Sequence, residues 1–239
     1  MGEQQTQSQD LLPRIWMDAR VIMVEGASAI EFLQGYLTSD TQRLQPNKAL
    51  PMAVCNIKGR VLANGWALPA EEGVGLLVHH SVVAPLEALL QPFLNFSSAA
   101  FADAGAQFVL VERTRGIALL DELHVTPLTA LPDGYLDISA ELAHTLIEHK
   151  LALVSAPVSE RFMPQMLGLE EHGAVDFDKG CYLGQEIVAR AQHRGAVKRR
   201  LQQVTLDDIH VEIGDAWGSD ATVVSVAANL ALVVAKVAA

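Results

Sequence analysis

Aromatic side chains are scarce in this chain of 239 residues, at 5% against a hydrophobic content of 50%. The interior must therefore be built mostly from Leu, Val, Ala and Ile. The length suffices for one large domain or for two to three small ones sharing cores. Positive charge is also short, with 17 Lys and Arg against 28 Asp and Glu and a net charge of −11. That deficit speaks against direct binding to nucleic acid or to anionic membranes, which need a net basic face. Cysteine is nearly absent. Cys55 and Cys181 stand far apart, which gives neither a disulfide framework nor a zinc spacing and fits a reducing, cytoplasmic compartment. No hydrophobic leader opens the chain; residues 1–12 are polar and Gln-rich at the start and read as a disordered tail. The nearest thing to a long apolar run is Ala221 to Ala239, interrupted by Thr222, Ser225, Asn229 and Lys236. A membrane span needs about 20 mostly apolar residues. The Val enrichment and the Ala228-Asn229 break predict two buried strands joined by a turn instead.

What is present alternates between two periods. Arg14 to Val24 reads as extended, and Ala29, Phe32, Leu33, Tyr36 and Leu37 then recur at helical spacing. Apolar runs at 50–57 and 61–68 flank Lys58-Gly59-Arg60, which predicts a hairpin with two cations in its turn. Gly75 to His79 reads as a strand, and Ser81 as the N-cap of a helix through Leu90. Strands are predicted at 108–111, 117–120 and 151–154, and a helix capped by Ser139 carries Leu142, Leu146 and Ile147. A short helix is expected near Met163–Leu169, and another over Gly184–His193 with Gly195 as its stop. Short strands follow from Leu201. Helices and strands alternate without βαβ regularity, so the class is α+β.

Several residues could carry chemistry. Lys179 lies two positions from Cys181 and, in an extended segment, shares its face. Gly180 and Gly184 permit turns, and a helix starting near Gly184 would set Cys181 before its positive end. These features favour thiolate, the reactive form; the alternative is a small buried hydrophobe. Glu186 is either an acid, base or ligand, or a complement to the helix dipole. Gln185 either meets a ligand or caps the same turn. Lys179, Arg190, Arg194, Lys198, Arg199 and Arg200 gather basic residues into one stretch, which suits an anionic ligand or forms a solvated face. Asn56 either bonds a heterocycle or satisfies only the following turn. His79-His80 and His144 with His149 offer no metal geometry, because adjacent strand residues face opposite sides and an i,i+5 pair is poorly spaced on a helix.

The stretch Phe177-Asp178-Lys179-Gly180-Cys181-Tyr182-Leu183-Gly184-Gln185-Glu186-Ile187-Val188-Ala189-Arg190, followed by Arg194-Gly195 and Lys198-Arg199, closely resembles the signature of the YgfZ family. That family is related to the glycine-cleavage T-protein, an aminomethyltransferase (GcvT). Phe162-Met163-Pro164-Gln165, the Gly26–Gly35 stretch with Asp40, and Cys55-Asn56-Ile57-Lys58-Gly59-Arg60 extend the likeness. The resemblance implies a GcvT/YgfZ-like, ring-like arrangement of interwoven α/β subdomains. Residues 13–196 would form the folate-binding region and residues 197–239 a reduced C-terminal β-barrel lobe. It implies tetrahydrofolate, or a derivative, in or near a central channel. It also implies work on iron–sulfur clusters, with client proteins such as radical tRNA-modifying enzymes as partners. Cys181 is the residue it marks as essential, with Lys179 beside it. Asn56, Arg60, Tyr182, Gln185, Glu186, Arg190 and Arg194 become the expected folate contacts. The chain departs from the T-protein where an acidic residue should follow the second turn, since Val61-Leu62-Ala63-Asn64-Gly65 holds no carboxylate. General acid–base work needs a titratable group within reach, which speaks against aminomethyl transfer.

Overall fold

Near-continuous apolar runs along the first hundred positions build a sheet that is buried on both faces. The computed structural model describes residues 12–120, 122–195, 197–207 and 210–237. Most of the predicted tail therefore lies outside the described residues. After a short β1 (Arg14–Ile15) come β2 (Ala19–Glu25), β3 (Leu50–Cys55), β4 (Val61–Ala70), β5 (Gly73–His79) and β6 (Ala100–Phe101). The last five form one sheet in the order β3-β4-β5-β2-β6. Successive strand residues face opposite sides, and here the two sides enter different cores. Val21, Met23, Ala53, Cys55, Trp66 and Leu77 face the central core. Ile22, Val24, Met52, Val54, Ala67 and Leu76 face a second one. Two helices cover that second face, α1 (Ala29–Gln34) and α2 (Val83–Leu94), through Leu33, Leu86, Leu90 and Leu94.

The central core is shared with two further sheets. β7 (Phe108–Glu112), β8 (Ile117–Leu120), β9 (Leu123–Leu128) and β10 (Leu136–Asp137) join β1 in the order β10-β1-β7-β9-β8. Trp16 and Trp66 meet edge to face across the centre, with ring centroids 6.4 Å apart. The helix α3 (Ser139–Glu148) packs against the last sheet, which holds β11 (Arg199–Thr205), β12 (Ala216–Trp217), β13 (Ala221–Ala227) and β14 (Leu230–Lys236). Its order is β11-β14-β13-β12, so β11 and β12 are edges and the sheet is open. Val224, Leu232 and Val234 reach into the central core. Residues 221–236 thus form a hairpin turning at Ala228, which takes φ of 50°; the last two residues of the predicted pair of strands lie outside the described residues. No helix among the described residues is long and apolar enough to cross a membrane. The helix α4 (Gln185–Arg194) ends on Gly195 at a left-handed φ of 58°.

Four local expectations fail, each because a side chain supplies a hydrogen bond that propensity assigns elsewhere. The helical spacing runs to Leu37, yet α1 stops at Gln34, and the carbonyls of Gln34, Leu37 and Ser39 converge on the Lys179 ammonium. Ser81 caps no α-helix. The His79 side chain caps the short 3-10 turn His80–Val82 before α2, while the Ser81 hydroxyl accepts from the Ala156 amide. Ser139 lies inside α3, and the Asp137 carboxylate accepts from its amide and hydroxyl. Residues 151–154 form no strand. Their ladder partner is the buried side chain of Asn64, which donates to the Ala152 carbonyl at 2.9 Å and accepts from the Val154 amide at 2.7 Å. Beside it, the cavity bounded by Asn64, Trp66, Leu151, Leu169 and His172 holds about 50 Å³. Ligand pockets run to about 300–1,000 Å³, so this interior space admits water but no pterin.

Substituting Asn64→Ala leaves one amide and one carbonyl buried without a partner. Urea denaturation should show a loss of about 2–6 kcal/mol, at roughly 1–3 per orphaned group; a change below about 0.5 kcal/mol contradicts the bridging role.

Candidate functional site

The segment after α1 and the segment before α4 are sewn together by buried polar contacts. Asp176 makes a tight turn in which its carboxylate accepts from the amides of Asp178 and Lys179, at 2.9 and 3.2 Å. The Asp176 amide donates to the Thr38 carbonyl at 2.9 Å, and Arg43 pairs with its carboxylate at 3.4 Å. Thr38 is fully buried. Its hydroxyl donates to the Ala174 carbonyl and accepts from the Ala53 amide, joining the motif to β3. Lys179 then runs inward. Its ammonium donates to the carbonyls of Gln34, Leu37 and Ser39 at 2.8, 2.7 and 2.9 Å and lies 5.3 Å from the centre of the Tyr182 ring. Burial lowers the Lys179 pKa to about 8, opposed by the charges of Asp40 and Asp176. At neutral pH it is an ammonium, the form with three N–H donors for three carbonyls.

Beyond Lys179 the chain turns outward and presents Cys181 to solvent, while Cys55 is buried. Burial pushes the Cys55 thiol up to about 12, which makes it an inert core residue. The expectation that Lys179 and Cys181 share a face is corrected here. Lys179 is 9% exposed and points into the protein, so it holds the loop rather than touching what the thiol meets. Tyr182 is buried as well, and burial raises its phenol, with nearby Cys55 and Asp176 adding to the effect.

The second signature turn lies directly on this loop. Gly184 takes φ of 82°, and a side chain there would meet the Asn56 carbonyl oxygen at 2.4 Å. From the other side, a side chain at Gly59, where φ is 66°, would meet Ile187 at 3.0 Å. Only paired glycines let the 56–59 turn pack on the start of α4. Asn56 serves that turn. Its side-chain oxygen accepts from the amides of Lys58 and Arg60, and its amide donates to Glu160 at 2.8 Å. Arg60 donates to the Arg161 carbonyl at 2.9 Å. The Asn56 side chain thus closes its own turn and ties it to Glu160.

Three cations of the basic stretch stand in ion pairs. Arg190 pairs with Glu186 one turn earlier, Arg199 with Asp220, and Arg200 with Glu170. Lys198 is exposed, and the side chain of Arg194 lies outside the described residues. The expected contacts Glu186 and Arg190 pair with each other on the surface, and Gln185 is half-buried at the start of α4. Sequence reasoning missed what surrounds the thiol. Cys181 opens on a groove of about 600 Å³ lined by Tyr36, Ile57, Phe93, Leu183 and Ile187. Tyr36 and Phe93 line it with ring centroids 5.5 Å apart, and Phe32 stacks on Tyr36 at 4.8 Å from the core side. Ile57 is 74% exposed and Phe93 48%. Scarcity was the available signal, because aromatic residues are few in this chain and three of them gather here.

No family model matches the chain. In sequence it is similar to the tRNA-modifying protein YgfZ of Cronobacter sakazakii, with 25% identity over 263 aligned positions covering 87% of this chain and 78% of that protein. It is also similar to the tRNA-modifying protein YgfZ of Escherichia coli O157:H7, with 26% identity over 256 positions and the same coverages. In fold it is similar to the aminomethyltransferase T of the glycine cleavage system from Bartonella henselae. That structure superimposes with a TM-score of 0.66 at 15% identity, over 93% of this chain and 77% of the other. Sequence and fold agree on a YgfZ/GcvT-like protein.

Two outcomes check this geometry. Alkylation of the native protein should label Cys181 alone, with Cys55 reacting only after unfolding, as read by mass spectrometry; native labelling of Cys55 contradicts its burial. Gly184→Ala should destabilise by about 2–3 kcal/mol through its left-handed backbone and its contact with Asn56. Gly180→Ala, with nothing within 4 Å, should stay within about 0.5 kcal/mol.

Proposed function

We propose that this YgfZ/GcvT-like chain is an accessory protein in tRNA modification. It supports the iron–sulfur enzymes that carry out the modification, and the thiol of Cys181 is its working group. The observation that carries this reading is the exposed Cys181 on an immobilised loop at the rim of an apolar groove. A thiol that must meet a client needs access, a fixed position and a surface that protein can cover. All three coincide at this loop. The name borne by the sequence relatives supports the tRNA half of the reading.

The reading keeps tetrahydrofolate as ligand and assigns it to the groove beside Cys181. The groove offers about 600 Å³, against about 50 Å³ at Asn64. Tyr36 and Phe93 supply faces on which a pterin ring can stack. Aminomethyl transfer finds no support. The position expected to hold a carboxylate carries Ala63 and Asn64, and both ends of the Asn64 amide are committed to residues 152 and 154.

Complementation of a strain lacking its homologue tests the thiol. Cys181→Ser should fold normally yet lose most of the rescue of iron–sulfur enzyme activity; full rescue by the serine variant contradicts the proposal. Calorimetry tests the ligand. Tetrahydrofolate should bind the wild type in the micromolar range and Ile57→Arg at least tenfold more weakly. Absence of binding, or equal binding by both, overturns the groove assignment.

A further inference from the structure

The adjacent histidines His79 and His80 lie outside everything used above. On a continuous strand their rings would face opposite sides. Here β5 ends at His79 and a 3-10 turn begins at His80, and the change of backbone brings the two rings into a stack with centroids 4.6 Å apart. A third group arrives from a distant part of the sequence. The His80 amide donates to the Asp18 carbonyl at 2.7 Å, which fixes the backbone leading into β2 against this turn. One donor atom each from Asp18, His79 and His80 then falls within 4.8 Å of the others.

We propose that Asp18, His79 and His80 form a site for a divalent metal ion of the zinc class, held by two imidazoles and one carboxylate with water completing the shell. Two imidazoles and a carboxylate are a donor set that zinc favours, at about 2.0–2.2 Å from each ligand atom. Tetrahedral donors at such distances stand roughly 3.3 Å apart, so the exposed His80 ring needs only a side-chain rotation to close the set.

Two of the three ligands have no competing partners. Among the described residues the Asp18 carboxylate and the His80 ring make no side-chain hydrogen bond or ion pair. The nearby Arg20 guanidinium turns away to the carbonyls of Met17 and Ala19, at 2.9 and 2.7 Å. Asp137, the other carboxylate in the neighbourhood, is occupied by Ser139. His79 has the outer support that metal-bound histidines require. Its Nδ1 lies 2.8 Å from the Ser81 hydroxyl, which also accepts from the Ala156 amide. With the Nδ1 proton given to that hydroxyl, Nε2 is free to bind; the Ser81 amide then gives up its own contact to Nδ1. Burial, helped by the charge of His80, lowers His79 to about 4 and keeps the ring neutral at ordinary pH. Burial raises Asp18, with His80 opposing it, and a bound cation would answer that uncompensated carboxylate. A metal here would tie the start of β2 to the end of β5 at the point where Ser81 also holds residue 156.

The test uses the full chain, stripped with a chelator and titrated with Zn²⁺ against a chromophoric competitor. Cys181→Ser serves as the background, because an exposed thiol also binds zinc. One equivalent of Zn²⁺ should remain bound in that background. Asp18→Asn and His80→Ala should each weaken it at least tenfold, while His172→Ala, remote from the site, should not. X-ray absorption on the zinc-loaded Cys181→Ser protein should show imidazole and oxygen donors. Affinity unchanged by Asp18→Asn and His80→Ala, or loss of all stoichiometric binding with Cys181→Ser alone, overturns the site.

Discussion

The ammonium of Lys179, surrounded by the carbonyls of Gln34, Leu37 and Ser39, is the contact on which the candidate site depends. A buried charge is costly unless it is fully hydrogen-bonded, and here each N–H has its own acceptor. Those acceptors are the carbonyls that α1 would otherwise extend through, so a single side chain both ends a helix and anchors a loop. Thr38 and Asp176 repeat the arrangement on a smaller scale, each joining the segment after α1 to the segment before α4. The result is an irregular stretch of backbone held as firmly as a strand.

That firmness gives meaning to the exposure of Cys181. An exposed cysteine on a loose loop would be an accident of surface composition. An exposed cysteine between a buried lysine and a buried tyrosine is positioned, and the 56–59 turn packed on Gly184 holds it from the other side. The aromatic pair of Tyr36 and Phe93 completes a concave surface in a protein that has few aromatic residues to place. Lys179 therefore acts as a positioning residue, and the contact with a client or ligand falls to Cys181 and the groove.

The sequence displayed those features whose partners are local. The apolar runs in 50–68 and 221–236 produced strands where the pattern put them, because neighbouring strands in a hairpin need only each other. The glycine stop at Gly195 is local in the same sense. Features that depend on distant side chains were hidden. No spacing rule tells that Glu170 and Asp220 neutralise Arg200 and Arg199, or that Asn64 takes the place of a strand beside residues 152–154. Lys179 illustrates the limit most clearly. Its separation of two from Cys181 implied a shared face, but the desolvated carbonyls after α1 drew it inward. The histidine pair shows the opposite error, since one change of backbone at the end of β5 unites rings that a strand would separate.

Hydrogen exchange measured on Lys179→Met, under conditions where wild type and variant are both folded, tests the central claim most directly. Methionine retains the bulk and the apolar stem but offers no donors, so opening should be confined to what the ammonium holds. The account predicts that amides in 34–41 and 174–184 exchange at least tenfold faster than in the wild type, while the hairpin 221–236 keeps its protection. Unchanged protection across 174–184 would contradict it.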